Sequence, residues 1–198
     1  GSANLSLQSL TLTDAGGVAV SASCGLMAFC GVSVADTTIR DGSETAVVVY
    51  SFEVGSVYIV NSLITGNSTT TNGGGIAVYS GAGLGFLTLV NSTVAGNSAN
   101  GSGGGISGNG TVSLLNSTVT GNRSDADGNG TGTGGGISGY DVNIANSVVA
   151  DNFVGLGSSK NDADSPIASA ANSIFGTNVT ITAGSGNQTN IANVGLGQ

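Results

Sequence analysis

The chain has 198 residues, of which 36 are Gly and one is Pro, with 39% hydrophobic and only 7% charged residues. Gly at that level without a triplet period excludes collagen, and the apolar content excludes a solvated disordered tail. Three Lys/Arg against eleven Asp/Glu give a net charge of −8, which repels phosphate backbones and anionic lipid, so no nucleic acid partner is expected.

The apolar volume comes almost wholly from Val, Ile, Leu and Ala, with five Phe, four Tyr and no Trp. Small β-branched residues favour strands, and they fill a core only two side chains across better than a wide one. The chain opens on Gly-Ser rather than Met and reads as a segment excised from a larger protein, its residues 1–31 forming an incomplete coil or an N-terminal cap. Within that stretch "SCGLMAFCG" holds both cysteines, Cys24 and Cys30. In an oxidising compartment they close a small loop by a disulfide, and with no His and no second Cys pair a metal site there is not expected. No apolar run approaches the ~20 residues that span a bilayer, so no transmembrane segment is expected.

Next in the chain, "ADTTIRDG" is the best acidic cluster on a predicted coil, with Asp36, Arg40 and Asp41. With Ile39 pointing inward, Thr38 and Arg40 point outward, and Asp36 lies on the side of Arg40, giving a salt-bridged surface or, in a second reading, part of a groove.

From residue 57 the chain repeats itself. "VYIVNSLITGN" (57–67) recurs as "LTLVNSTVAGN" (87–97), "VSLLNSTVTGN" (112–122) and "VNIANSVVADN" (142–152), with an echo in "ASAANSIFGTN" (168–178). The Asn-Ser pairs begin at Asn61, Asn91, Asn116, Asn146 and Asn172, spaced by 30, 25, 30 and 26 residues, and Gly-Gly-Gly-Ile ends at Ile76, Ile106 and Ile137. Short alternating strands between Gly and Asn corners in units of this length specify a stacked solenoid. The expected fold is all-β, a right-handed parallel β-helix of about seven coils in one domain over 1–198, with its clear repeats at 57–178. At about 4.8 Å per coil it is roughly 34 Å long, and Ile59, Leu89, Leu114 and Ile144 form one apolar column.

The five Asn residues at 61, 91, 116, 146 and 172 are expected to form a buried structural ladder. Asn tolerates the left-handed corner conformation, and its amide can donate to and accept from the Asn one coil away. The Gly triplets are expected to serve corners with positive φ and close coil approach. Sequons at Asn67, Asn91, Asn109, Asn116 and Asn129 follow from composition and say little about glycosylation.

The third Gly triplet is preceded by an acidic insertion, "RSDADGNGTG". Asp125, Asp127 and Asn129 followed by Gly130 match the first half of a D-x-[DN]-x-[DN]-G calcium loop, although position twelve is Gly136 in place of the bidentate Glu. A weak Ca²⁺ site, to which Asp162 and Asp164 of "NDADS" could add ligands, stands beside the alternative of a solvated acidic loop. A flat Thr array for ice is excluded, because Thr93 and Thr118 are followed and preceded by Val148 and Leu63.

Gly-Gly-Gly-Ile alternating with "ITGN", "VAGN", "VTGN" and "VADN" resembles the polymorphic outer membrane protein repeat, with Ile or Val where that pattern has Phe. Similar units fill pectate-lyase-like β-helices of large bacterial extracellular proteins, including autotransporter passengers and adhesins. The resemblance implies an extracellular or bacterial cell-surface module, adhesive or structural, that is not an enzyme and binds carbohydrate or protein. It also brings a second hypothesis, a polysaccharide lyase or glycoside hydrolase whose groove lies at Asp36, Arg40 and Asp41. Such chemistry wants paired carboxylates or a base with cations, whereas Arg40, Arg123 and Lys160 are the whole cationic supply.

Overall fold

A computed structural model describes residues 3–26, 28–192 and 194–195. Its strands pair parallel, coil upon coil, in a β-helix. Among the described residues they fall into stacks of eleven, seven and four strands. The seven-stranded stack takes one strand from each coil: Thr11–Thr13, Thr38–Arg40, Leu63–Thr65, Thr93–Ala95, Thr118–Thr120, Val148–Ala150 and Ile174–Phe175. Seven strands, one per coil, are separated by six steps, so the solenoid makes about six turns.

The eleven-stranded sheet is two stacks fused. One begins with Ala3–Gln8, Phe29–Ala35, Val54–Val60 and Leu84–Val90; the other with Val20–Cys24, Val47–Ser51 and Ile76–Ser80. They join because Ile106–Leu115 and Ile137–Ala145 run through both without a corner.

Alternation along the strands builds the core. Ile59, Leu89, Leu114 and Ile144 sit in register, as do Ile39, Ile64, Val94, Val119, Val149 and Phe175 from the seven-stranded stack. All ten are buried. Each column repeats aliphatic side chains, with Phe175 as the one aromatic at the C-terminal coil, so a core one residue deep per face is filled mainly by Val, Ile and Leu.

The Gly triplet of the fourth coil shows why those corners need glycine. Gly103 has φ 68°, and a Cβ on Gly105 would lie 2.8 Å from the carbonyl oxygen of Gly136 and 2.9 Å from the Asn122 amide. The corner therefore packs backbone on backbone, where no side chain fits. Where the first coil passes into the second, Cys24 and Cys30 are joined by a disulfide that ties Val20–Cys24 to Phe29–Ala35.

Candidate functional site

The polar interior is organised as two continuous ladders. The first uses the Asn that closes each "xxGN" unit. Asn67 donates through its backbone N and Nδ2 to Asn97 Oδ1 at 3.0 and 2.9 Å, Asn97 to Asn122 Oδ1 at 3.0 Å from both, and Asn122 to Asn152 Oδ1 at 3.1 and 2.9 Å. Each Nδ2 also donates to backbone carbonyls at the seven-stranded stack, such as Ile64 O and Val94 O. All four Asn are at most 1% exposed, so the amides satisfy backbone groups that water cannot reach.

The second ladder uses the Ser of each Asn-Ser pair. Backbone N–H of Ser62, Ser92, Ser117 and Ser147 donates to the hydroxyl of the Ser one coil on, at 3.0–3.2 Å, ending at Ser173. Each hydroxyl donates in turn to the carbonyl two residues before it, as Ser117 does to Leu115 O at 2.9 Å. Ser173 N then donates to Asn187 Oδ1 at 3.0 Å, which closes this ladder at the C-terminal end.

The amide ladder closes on a carboxylate. Asp162, fully buried, folds back from the loop after Phe153–Val154 and takes the place of a fifth Asn. Its Oδ1 accepts from Asn152 N and Nδ2 at 2.9 and 2.8 Å, and its Oδ2 accepts from Thr177 N at 2.8 Å. A Cβ on Gly176 would lie 2.3 Å from that Oδ2, so only glycine leaves room for it. Burial pushes the Asp162 carboxyl above the usual range; the donors from Asn152 and Thr177 pull the other way, and the Asp151 charge adds to the rise. Lys160 pairs with Asp151 at 2.5 Å beside it.

The predicted Asn column lies elsewhere on the coil. Asn61, Asn91, Asn116, Asn146 and Asn172 hold φ of 49–52°, the left-handed corner conformation. They are exposed, not buried, because the chain turns outward there and the following Ser enters the interior. Asn116 Nδ2 donates to Asn91 Oδ1 at 3.2 Å, Asn91 Nδ2 to Asn61 Oδ1 at 3.3 Å and Asn61 Nδ2 to Asp36 Oδ1 at 3.1 Å.

Asp36 is thus the corner residue of the second coil, with φ 50°, and it also accepts from Gln8 Nε2 at 3.4 Å. The expected pairing of Asp36 with Arg40 gives way to a pair between Arg40 Nη1 and Asp41 Oδ2 at 2.8 Å, both side chains about half exposed. Asp36, Thr38, Asn61, Leu63 and Asn91 line a shallow groove of about 530 Å³, and Arg40 and Asp41 are not among its walls. No acid and base converge there on a common point.

In the acidic insertion each of the three side chains accepts a hydrogen bond from within the loop. Asp125 Oδ1 accepts from Gly130 N at 2.9 Å, Asp127 Oδ2 from Asn129 Nδ2 at 2.8 Å, and Asn129 Oδ1 from Thr131 N at 2.9 Å. Asp125 is buried whereas Asp127 and Asn129 are exposed. Asp164 accepts from Thr133 Oγ1 at 3.0 Å, while Asp162 faces the core, so "NDADS" splits its two carboxylates between ladder and loop. Among the described residues no group of three or more His, Cys, Asp or Glu is placed to hold a metal ion.

The outward positions of the first stack were not singled out by sequence reasoning. There Phe29, Tyr58, Leu84 and Phe86 stand 44–63% exposed, with Ser33, Ser56 and Thr88 between them. On the adjoining stack the rings of Tyr50 and Tyr79 lie 5.5 Å apart. Outward-pointing aromatics on alternate strand positions were the available signal.

The chain matches no protein-family model, no curated protein and no solved structure.

Proposed function

We propose that the chain is a non-enzymatic extracellular β-helix module, a rigid spacer in a bacterial surface or secreted protein that also offers an adhesive face. The observation that carries this reading is the commitment of the buried Asn column, the Ser column and Asp162 to coil-to-coil ladders, with amides, hydroxyls and one carboxylate serving as rungs. What remains for contact with a partner is the outer surface, and its aromatic and hydroxyl side chains around Tyr58 and Phe86 suit carbohydrate or protein ligands. The Cys24–Cys30 disulfide supports an oxidising location, and the likeness of the Gly-Gly-Gly-Ile units to outer membrane protein repeats supports the bacterial surface. The acidic insertion is read as a loop ordered by its own hydrogen bonds, with Asp127 and Asn129 turned to solvent.

Incubation with a panel of neutral and uronic-acid polysaccharides, read by reducing ends and by unsaturated-product absorbance, tests the reading against a lyase or hydrolase. Binding on a glycan or protein array without turnover, weakened about tenfold or more by Tyr58→Ala with Phe86→Ala, is the expected result. Sustained turnover abolished by Asp36→Asn would replace it with the enzymatic reading.

A further inference from the structure

Asn followed by Gly occurs four times, at Asn72, Asn100, Asn109 and Asn129. A glycine after asparagine leaves its backbone nitrogen unshielded by a Cβ, so that nitrogen can reach the amide carbon of the preceding side chain. Three of the four pairs are held by a neighbouring coil. Asn72 Oδ1 accepts from Ser102 N at 2.8 Å while Gly73 N donates to Ser102 O at 3.0 Å. Gly101 N donates to Thr71 O at 2.8 Å, and the Asn109 amide is clamped at both ends by Ser80 N and O at 3.0 and 2.6 Å.

The fourth pair sits in the acidic insertion, and there each polar atom of the reacting groups faces a partner fit to act on it. Gly130 N donates to Asp125 Oδ1 at 2.9 Å, within reach of a general base. Asn129 Oδ1 accepts from Thr131 N, at 2.9 Å, and from Thr131 Oγ1, the two-donor arrangement that stabilises an oxygen gaining negative charge. Asn129 Nδ2 donates to Asp127 Oδ2 at 2.8 Å, which fixes the orientation of the amide. Asp125 is buried and Asn129 exposed, so the base is held in place while water has access to the amide. Gly130 has φ 81°, and beyond its chain neighbours no atom lies within 4 Å of where a Cβ would stand, so the turn has room to close a ring.

We propose that Asn129 is a self-modification site, converted by its own loop to aspartate and isoaspartate through a cyclic imide. Asp125 Oδ1 takes the Gly130 N–H proton, and the nitrogen forms a bond to Asn129 Cγ. Thr131 holds the resulting oxyanion, whose collapse breaks the Cγ–Nδ2 bond. Nδ2 leaves as ammonia, with the proton carried to it from Asp125 through solvent. Water then opens the imide. Cleavage between Gly130 N and Cγ gives aspartate, and cleavage between Gly130 N and the backbone carbonyl carbon gives isoaspartate, which routes the main chain through the side chain.

The net exchange is one water for one ammonia, and water is the only co-reactant. Net charge moves from −8 to −9 by the one added carboxylate, which joins Asp125 and Asp127 on the loop. The change happens once per chain and is not turnover, so the loop records the time since the chain folded.

Peptide mapping by mass spectrometry of the folded 198-residue chain, held at neutral pH, tests this. The expected result is a gain of one mass unit at Asn129, with aspartate and isoaspartate as products, at a rate roughly tenfold or more above that at Asn72, Asn100 or Asn109. Asp125→Asn keeps an acceptor for Gly130 N but removes the base, and should slow the conversion by roughly tenfold or more. Should that variant fail to fold, the unsubstituted chain decides: Asn129 should convert roughly tenfold or more faster folded than unfolded in guanidinium chloride, because only the fold assembles base and donors around it. An Asn129 that stays an amide, equal rates at all four pairs in the folded chain, undiminished conversion in a folded Asp125→Asn variant, or conversion no faster folded than unfolded would each overturn the proposal.

Discussion

Two columns of asparagine run along this solenoid, and they run in opposite directions. On the exposed column each Nδ2 donates toward the N-terminal coil, from Asn116 through Asn91 and Asn61 to Asp36. On the buried column each Nδ2 donates toward the C-terminal coil, from Asn67 through Asn97 and Asn122 to Asn152 and then Asp162. Both end on a carboxylate at the side where donors emerge, since aligned N–H groups present positive charge there. The difference lies in what replaces a missing rung. Water can replace an exposed amide, whereas the buried ones bond to one another and to backbone groups that water does not reach.

Removing a central buried rung should do the most damage. Asn122→Ala takes the shared acceptor from Asn97 N and Nδ2 and a second donor from the Val94 carbonyl, and at 1–3 kcal/mol per group it should cost about 3–5 kcal/mol, seen as a melting temperature lower by about 6–20 °C. Ser117→Ala takes only a hydroxyl from Ser92 N and Leu115 O and should cost about 1–3 kcal/mol in the same measurement. On the exposed column, Asn116→Ala leaves Ala at φ 52° and should cost about 1 kcal/mol, most of it recovered by Asn116→Gly. Equal losses for Asn116→Ala and Asn122→Ala would erase the distinction between the columns.

A subtler separation comes from pH. Burial raises the Asp162 carboxyl in the folded chain, so its protonated form is favoured on folding. The stability it contributes is complete below the ordinary carboxylate range and is lost as pH rises through the raised value. Melting temperature should therefore climb on mild acidification more steeply than in Asp162→Asn; parallel curves would deny the carboxylate this role. The smallest effect is expected from calcium: millimolar Ca²⁺ should move the melting temperature by less than about 1 °C, and a larger shift lost in Asp125→Ala with Asp127→Ala would establish a metal site in the acidic insertion.

The coil repeat and its apolar columns could be read directly from the sequence, because alternation around Ile59, Leu89, Leu114 and Ile144 is a local pattern that stacking merely repeats. The buried amide ladder was written in the same units, as the last letter of "ITGN" and its relatives, yet looked like turn punctuation. Asn after a corner Gly and Asn at a corner are chemically identical; only the direction in which the next strand leaves decides which one enters the core. Asp162 was beyond any spacing argument, since it reaches Asn152 from ten residues on through a loop outside the repeat. Arg40 chose Asp41 over Asp36 because Asp36 had turned to the Asn column.

Ladder bonds that all run from coil to coil also decide how the molecule answers a pull. Force along the solenoid axis loads the rungs end on, so they yield coil by coil and do not share the load as sliding strands do. Each coil of the ladder then frees 25 or 30 residues, or about 80–110 Å of chain. Stretched from its ends, the protein should lengthen in near-equal steps, behaving as a graded shock absorber.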